Sequence, residues 1–393
     1  MTSPVNTTVK WARSTMPGAP VLTRAAGSLI ALLDALLVNG WGVQTATSVV
    51  VASGVATATF ATDHAAARHG VVLVAGVTGA LAGLNGEQKV TAVEPNKIKW
   101  ATTEADGTAA GTITIKMAGA GWTKPFSGTN LAAYKSASPA AHGQFLRIAD
   151  TTAGYARAVG YENMTAISTG TGLFPSAAQL NGGYYWGKND ETSGTNAVPW
   201  VFASDGRFFY LFAQACINSS GGWARSFTPM SFGDLVPESP SGDPYATVVT
   251  GAADDGPWWG TGPSYIYTYH RVDAYVAAPR ARSGVGTASR GATLTELNLD
   301  NQGGAAPAQL PNPISGSIPM GRVLYKDAPT EFPRAAFPGL YWSSAAYMER
   351  VTDYGSILEL TNGKSLLGVW AGSSVTDTGT FRGAFLDLIG PWR

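Results

Sequence analysis

Acidic side chains close to aromatic residues are the part of this 393-residue sequence that could carry chemistry. Cleavage of a glycosidic bond needs two carboxyl groups about 5 to 9 Å apart, and nearby tyrosine and tryptophan rings could stack on the sugar. The carboxylates that could form such a pair are Glu162, Asp190, Glu191, Asp205, Asp234, Glu238, Asp254, Asp255 and Asp273. Spacing along the chain selects no pair among them. We therefore predict no catalytic residues and no enzyme activity, with a glycan-cleaving enzyme as the alternative.

Two aromatic clusters could instead form a surface that binds a host glycan or a protein partner. The candidate contact residues are Tyr184, Tyr185, Trp186, Trp258 and Trp259. Both clusters are followed by glycine, and aromatic rings beside glycine also serve to fill the space next to a closely approaching backbone. Packing is therefore the alternative interpretation of both clusters.

The sequence lacks the motifs of metal, nucleophile and phosphate sites. His64 and His69 are not spaced as neighbours on one helix face. The chain contains neither a G-x-S-x-G elbow nor a phosphate-binding glycine loop. Cys216 ends the apolar run 208–216 and is predicted to be a buried thiol rather than a nucleophile. We predict no metal ion and no cofactor.

The charge balance restricts the partners. Acidic and basic residues both number 26, and charged residues make up 13% of the chain, about half the usual share of roughly 25%. A net charge of zero argues against nucleic-acid binding. The apolar segment 25–38 is shorter than the roughly 20 residues of a membrane span, so no membrane insertion is expected. Low charge favours a surface that other subunits cover, because the cores of protein interfaces are depleted in charge.

The N-terminal region is predicted to contain an extended arm, 1–22, and a helix, 24–38, that Thr23 could cap. The helix carries a broad apolar stripe. Such a stripe indicates either the core of the chain or a contact with another subunit. We take the second interpretation as the working hypothesis, with assembly contacts at Leu29, Ile30, Leu33, Leu36 and Leu37.

The remainder of the chain is predicted to be β-rich. Six β-prone runs lie between residues 43 and 117, enough for a small sandwich or barrel. Further on, Asp205-Gly206 and Asn362-Gly363 between apolar runs predict hairpins, and a weaker hairpin is expected around 150–153. The predicted fold class is mainly β and multi-domain. It has an arm and helix (1–42), a small all-β insert that forms an exposed docking module (43–118), and a larger irregular β domain (119–393).

Several motifs give the chain a family resemblance. Those within the insert resemble small modules that recur in structural proteins of tailed phages, and those outside it resemble poorly characterised virion proteins of phages and prophages of proteobacteria. The first group is His69-Gly70, 71–74, 84–86, 90–93 and 109–114, and the second is 16–20, 27–35, 121–130, 154–162 and 390–393.

The resemblance implies a structural component of a tailed-phage virion, in the tail or baseplate, made in the bacterial host cytoplasm. It implies contacts with copies of the chain, a trimer being one form considered, and with other virion proteins. A capsid decoration or neck protein is one alternative, and a tail module that binds a receptor or glycan is another. None of the motifs is catalytic, so the resemblance assigns no functional residues.

Overall fold

The computed structural model describes residues 3–190, 195–215, 227–253, 275–295, 320–327, 332–344, 357–360, 362–370 and 382–393. Strands make up 51% and helices 6% of the structure, which confirms the predicted mainly-β, multi-domain fold. The predicted positions Cys216, Trp258 and Trp259 lie outside the described residues.

The described residues form three antiparallel sheets and one short α-helix. The helix α1 (Ser28–Leu33) continues directly into a π-helical turn at Asp34–Asn39, and a 3-10 segment lies at Gly79–Leu84. The strands, numbered in chain order, are β1 (Lys10–Arg13), β2 (Trp41–Thr45), β3 (Ser48–Ala52), β4 (Val55–Thr59), β5 (Val71–Ala75), β6 (Gly86–Glu94), β7 (Lys97–Ala101), β8 (Gly107–Thr108), β9 (Thr114–Met117), β10 (Trp122–Gly128), β11 (Leu131–Ser136), β12 (Phe145–Ala149), β13 (Tyr155–Ala166), β14 (Thr169–Phe174), β15 (Tyr184–Gly187), β16 (Trp200–Ser204), β17 (Phe208–Ala213), β18 (Thr228–Asp234), β19 (Val236–Pro237), β20 (Thr247–Thr250), β21 (Val276–Ala278), β22 (Ser289–Thr295), β23 (Gly321–Asp327), β24 (Pro333–Ser344), β25 (Ile357–Glu359), β26 (Ser365–Trp370) and β27 (Arg382–Asp387).

The largest sheet has the order β1-β16-β17-β18-β20-β21-β22-β23-β24-β27-β26-β25. It curls on itself, because β19 continues β18 and pairs with β24. Strands β16, β17, β18 and β20 are buried along their whole length, as expected of strands covered on both faces. Their near-continuous apolar sequence therefore follows from burial on two sides.

All three predicted hairpins are found. Strands β16 and β17 pair from Ser204↔Phe209 outwards, and β25 pairs with β26 around Asn362-Gly363. In the first turn, Gly206 has a φ of 84°, and the Asp205 carboxylate accepts hydrogen bonds from two backbone N–H groups. Strands β12 and β13 form the third hairpin. The turn residues predict these pairings because the two strands of a hairpin lie next to the turn in sequence.

Residues 41–117, called the module below, form an eight-stranded sheet in the order β2-β9-β5-β6-β7-β4-β3-β8. The six predicted runs correspond to six of these strands, whereas β2 and the two-residue β8 were missed. Cross-strand neighbours Val51, Ala56, Trp100 and Val90 make one buried row of its core. Trp41 is the register partner of Met117, so the two ends of the module lie side by side.

The helix begins later than predicted, at Ser28, and Thr23 does not cap it. The cap is instead Asp150, whose Oδ2 atom accepts hydrogen bonds from the backbone N–H groups of Leu29 (2.8 Å) and Ile30 (3.3 Å). A carboxylate from a distant strand can satisfy the unpaired N–H groups of a first helical turn. The Thr23 carbonyl accepts a bond from the Ser28 hydroxyl.

The N-terminal arm is not free of the core. Strand β1 pairs with β16, with Trp11 opposite Ala203, and both Val9 and Trp11 are buried. Part of the predicted extended arm is therefore a strand of the large sheet, because the edge of β16 offers backbone groups with which β1 pairs.

The module bridges the two ends of the large sheet. On the β1 side, Trp11 Nε1 donates to the Arg68 carbonyl (3.2 Å) and Lys10 Nζ lies 3.0 Å from Glu87. On the β25 side, His69 Nε2 lies 2.9 Å from Glu359 Oε1. Because β1 and β25 are the terminal strands of the sheet order, the module contacts both ends of the sheet through side chains. Within the described residues, no helix is long and apolar enough to cross a membrane.

Candidate functional site: the outer face of the module

The proposed helix contacts lie inside the chain. Leu29, Leu33, Leu36 and Leu37 are each no more than 2% exposed, and Ile30 is half-buried. These side chains pack into the main hydrophobic core. The hypothesis of assembly contacts is corrected at the four leucines, because a side chain that its own fold has covered offers no surface to a second subunit; at Ile30 it stays a prediction.

The first aromatic cluster is also mainly a packing cluster. Tyr184 and Trp186 are fully buried, and the Trp186 indole donates to the Thr250 carbonyl at 2.6 Å. A Cβ atom at Gly251 would lie 2.6 Å from the Tyr184 side chain, so the rings fill the space beside this glycine. Both residues are therefore corrected as candidate glycan contacts. Tyr185 is half-buried, with the Arg157 guanidinium 3.7 Å from its ring centre.

Described members of the carboxylate set hold the chain together. Arg280 pairs with Glu162 (2.7 Å), Arg393 with Asp205 (2.7 Å), and Arg322 with Glu238 (3.2 Å). The remaining described members are Asp190, which also has a bonding partner, and Asp234, which binds Arg207. The other four candidates, Glu191, Asp254, Asp255 and Asp273, lie outside the described residues.

The surroundings of Asp234 contain a hydroxyl, an imidazole and a carboxylate, but their order differs from that of a catalytic triad. The Thr247 hydroxyl donates to Asp234 Oδ1 (2.9 Å) and lies 3.1 Å from His142 Nδ1. In a triad the imidazole binds the hydroxyl with one nitrogen and the carboxylate with the other. Here His142 Nδ1 faces both the Thr247 hydroxyl and Asp234 Oδ1 (3.4 Å), and the hydroxyl donates directly to the carboxylate. Burial lowers the pKa of His142. The cluster joins the loop before β12 to the large sheet.

A second buried cluster surrounds Arg334. Its guanidinium contacts Asp243 (2.7 Å) and Asp327 (2.9 Å), and all three side chains are at most 5% exposed. Neighbouring carboxylates raise the pKa of Arg334 against the opposing effect of burial. Paired in this way, the three charges need no external ion, and we assign the cluster a structural role.

The two histidines considered as metal ligands lie in different environments. His64 Nε2 lies 2.8 Å from the Glu94 carbonyl and 3.1 Å from that of Lys97, whereas His69 contacts Glu359. Among the residues that the structure describes, no group of three or more histidine, cysteine or acidic side chains is arranged to hold a metal ion.

One sheet face of the module is left uncovered, and we call it the outer face. It faces away from the buried row and belongs to strands β3, β4, β6, β7 and β8. One row of cross-strand neighbours contains Thr108, Val50, Thr57, Lys99 and Ala92, and a second contains Ala52, Val55 and Ala101. The face is therefore broad and composed mainly of small and β-branched side chains.

Apolar exposure distinguishes this face. Val50 and Val55 are 40% and 38% exposed, although strand alternation normally places polar residues on the solvent side. The sequence did carry this signal, since apolar residues occupy consecutive positions in 49–51 and therefore both faces of β3. The insert was predicted to be an exposed docking module; one side is docked against the rest of the chain, and the outer face is the exposed part.

The charges on the outer face form one small group at its edge. Glu94 lies between two lysines, 2.6 Å from Lys99 Nζ and 3.7 Å from Lys97 Nζ. The hydrogen bond and the charge of Lys99 lower the pKa of the Glu94 carboxyl. The group thus carries both signs of charge within a few ångströms.

Comparisons with known proteins assign no family. No family model matches the chain, and no curated protein matches it.

Proposed function

We propose that this chain is a structural component of a tailed-phage virion, in the tail or baseplate, and that it works by packing against copies of itself. The outer face of the module carries the proposal, because a charge-poor sheet face with exposed valines is typical of an interaction surface. The motif resemblance supports the virion setting.

The use of charge elsewhere supports the same proposal. Several charged side chains make contacts within the chain: Arg334 with two aspartates, Arg207 with Asp234 and Lys10 with Glu87. Together with a charged share of only 13%, these internal contacts favour a weakly charged exterior. Such an exterior suits a subunit that remains among neighbours, because burying it costs little desolvation energy.

The partner that best fits the outer face is a second copy of this chain. In a two-fold contact, residue i of one subunit meets residue j of the other and the reverse. The Glu94 group carries both signs side by side, so two copies can exchange their Glu94–lysine pairs across such an axis. The valines would then meet at the centre of the interface and the charges at its rim.

The virion setting is tested by mass spectrometry of purified particles from a strain that encodes the chain. We expect its peptides in intact particles and in the tail fraction after disruption. Peptides in the head or neck fraction would favour a capsid decoration or neck protein. Peptides found only in the soluble lysate would contradict the proposal.

The contact itself is tested by the oligomeric state in solution. We expect the wild-type chain to associate and Val50→Lys to shift it towards the monomer in sedimentation measurements, because a charge is placed within the apolar rows. Val285→Lys is the matched control, since Val285 is 77% exposed and lies outside the module. A monomeric wild-type chain, or equal effects of both changes, would contradict the proposed contact.

A further inference from the structure

Asp150 and Lys188 form an ion pair in which both side chains are fully buried. Asp150 follows β12 and Lys188 follows β15, and β13 lies between these strands in the sheet. Lys188 Nζ contacts Asp150 Oδ1 and also donates to the carbonyls of Ala25 (2.8 Å) and Thr152 (3.0 Å). The Lys188 ammonium group is therefore held against one carboxylate oxygen, and it has no contact with solvent.

The other carboxylate oxygen is held separately. Asp150 Oδ2 accepts the two backbone N–H bonds from Leu29 and Ile30 described above. The two oxygens therefore differ: Oδ1 faces the lysine nitrogen, and Oδ2 faces two fixed donors. Backbone donors in a water-excluded site stabilise negative charge that develops on an oxygen.

Burial moves both groups towards their neutral forms. Desolvation raises the pKa of the Asp150 carboxyl, and it lowers the pKa of the Lys188 amine. Arg24 acts on Lys188 in the same direction. A neutral amine is a nucleophile, and a protonated carboxyl is an electrophile, so the arrangement presents the two partners of amide formation in contact.

We propose that Lys188 and Asp150 form an amide bond between their side chains, which makes this pair a self-modification site. This inference does not depend on the proposed virion function. A proton first passes from the Lys188 ammonium to the Asp150 carboxylate. The Nζ lone pair then attacks Cγ, a C–N bond forms, and negative charge collects on Oδ2 against the N–H groups of Leu29 and Ile30.

Collapse of this intermediate completes the step. The C–Oδ1 bond breaks, and Oδ1 leaves as water with its own proton and one proton from the former amine. Oδ2 remains as the amide oxygen on its two donors, and the remaining N–H can donate to the carbonyl of Ala25 or Thr152. No oxidant, reductant or co-reactant is consumed. The bond closes a covalent loop that encloses β13, β14 and β15, which limits the freedom of the unfolded chain.

The test is the mass of the purified full-length chain. We expect wild-type protein to be lighter than its sequence by the mass of one water molecule. A tryptic digest should contain a branched peptide that joins Asp150 to Lys188. Lys188→Arg retains the positive charge but lacks the amine, and it should have the full sequence mass and no branched peptide.

The pair Lys364–Asp387 is the matched control, because it is also a lysine–aspartate contact but its lysine is 42% exposed. Its peptides should be found separate. A folded wild-type chain with the full sequence mass after prolonged incubation at neutral pH would overturn the proposal, as would a mass deficit that persists in Lys188→Arg. Should that variant not fold, the wild-type peptide map decides alone.

Discussion

At the scale of single residues, Leu33 illustrates what the apolar stripe of α1 does. Its side chain is fully buried within the chain, whereas Ile30 on the same helix is half-buried. We expect Leu33→Ala to lower the free energy of unfolding by about 2 to 5 kcal/mol, the range for removing a fully packed leucine. Ile30→Ala should lower the free energy of unfolding by clearly less. Chemical denaturation of both variants checks this. Equal small losses of unfolding free energy would contradict a packed position for Leu33.

His69 makes stability depend on pH. Its burial lowers its pKa below the ordinary value of 6.5, against the opposing effect of Glu359. The unfolded chain therefore binds a proton at His69 more readily than the folded chain, so stability is lost as the pH falls through and below that value. Glu359, whose pKa is lowered chiefly by Ser365, adds a loss below its own ordinary value of 4.5.

We expect His69→Asn to reduce the loss of stability on going from about pH 7.5 to 5.5, the interval around the usual histidine pKa. Asparagine suits the position because His69 has a φ of 64°, which asparagine tolerates. The measurement is denaturation of both proteins across the pH range. His142, whose pKa is also lowered, should leave part of the dependence in place. An identical pH profile in the two proteins would exclude His69 as a contributor.

The residue-level roles were hard to predict for a physical reason. Asp150 was predicted only as part of the turn 150–153, because the helix that it caps and its lysine partner are remote in sequence. Tyr184 and Trp186 appeared as candidate contacts because an aromatic run is equally compatible with a surface and with packing. Only the close approach of Gly251 separates the two interpretations.

At the scale of elements, β1 and α1 make the N-terminal region part of the fold. Strand β1 pairs with the edge of β16, and the leucines of α1 pack into the core. We expect removal of residues 1–38 to abolish cooperative folding, because it uncovers a sheet edge and removes the packed leucines. Circular dichroism during thermal melting checks this. Removal of residues 1–5 alone is the control, since β1 stays intact, and it should melt like wild type.

Local elements were predictable and distant pairings were not. Asp205-Gly206 and Asn362-Gly363 identified their hairpins because a turn dipeptide fixes the register of the strands beside it. Nothing comparable links Trp11 to Ala203, or Val236 to Ala336. Those pairings arise from the curl of the whole sheet, which local sequence does not encode.

At the scale of the whole molecule, the module connects the two terminal strands of the large sheet through side-chain contacts. We expect excision of the module, with Gly42 joined to Gly121, to give an aggregated product, because both terminal strands of the sheet would lose their contacts with the module and become accessible to other chains. Light scattering of the purified product checks this. The intact chain with Val50→Lys is the control, because its edges stay covered. A monodisperse, folded excision product would show that the edges need no cover.

Segments from widely separated parts of the chain meet at the turn between β16 and β17. Lys10 is the register partner of Ser204, and Arg393 Nε lies 2.7 Å from the Asp205 carboxylate. Contacts of such large sequence separation give a high contact order, and folding slows as contact order rises. The turn itself can form early, since it is local. Arg393 follows the turn by 188 residues, so we expect the native contacts around the turn to form late in folding.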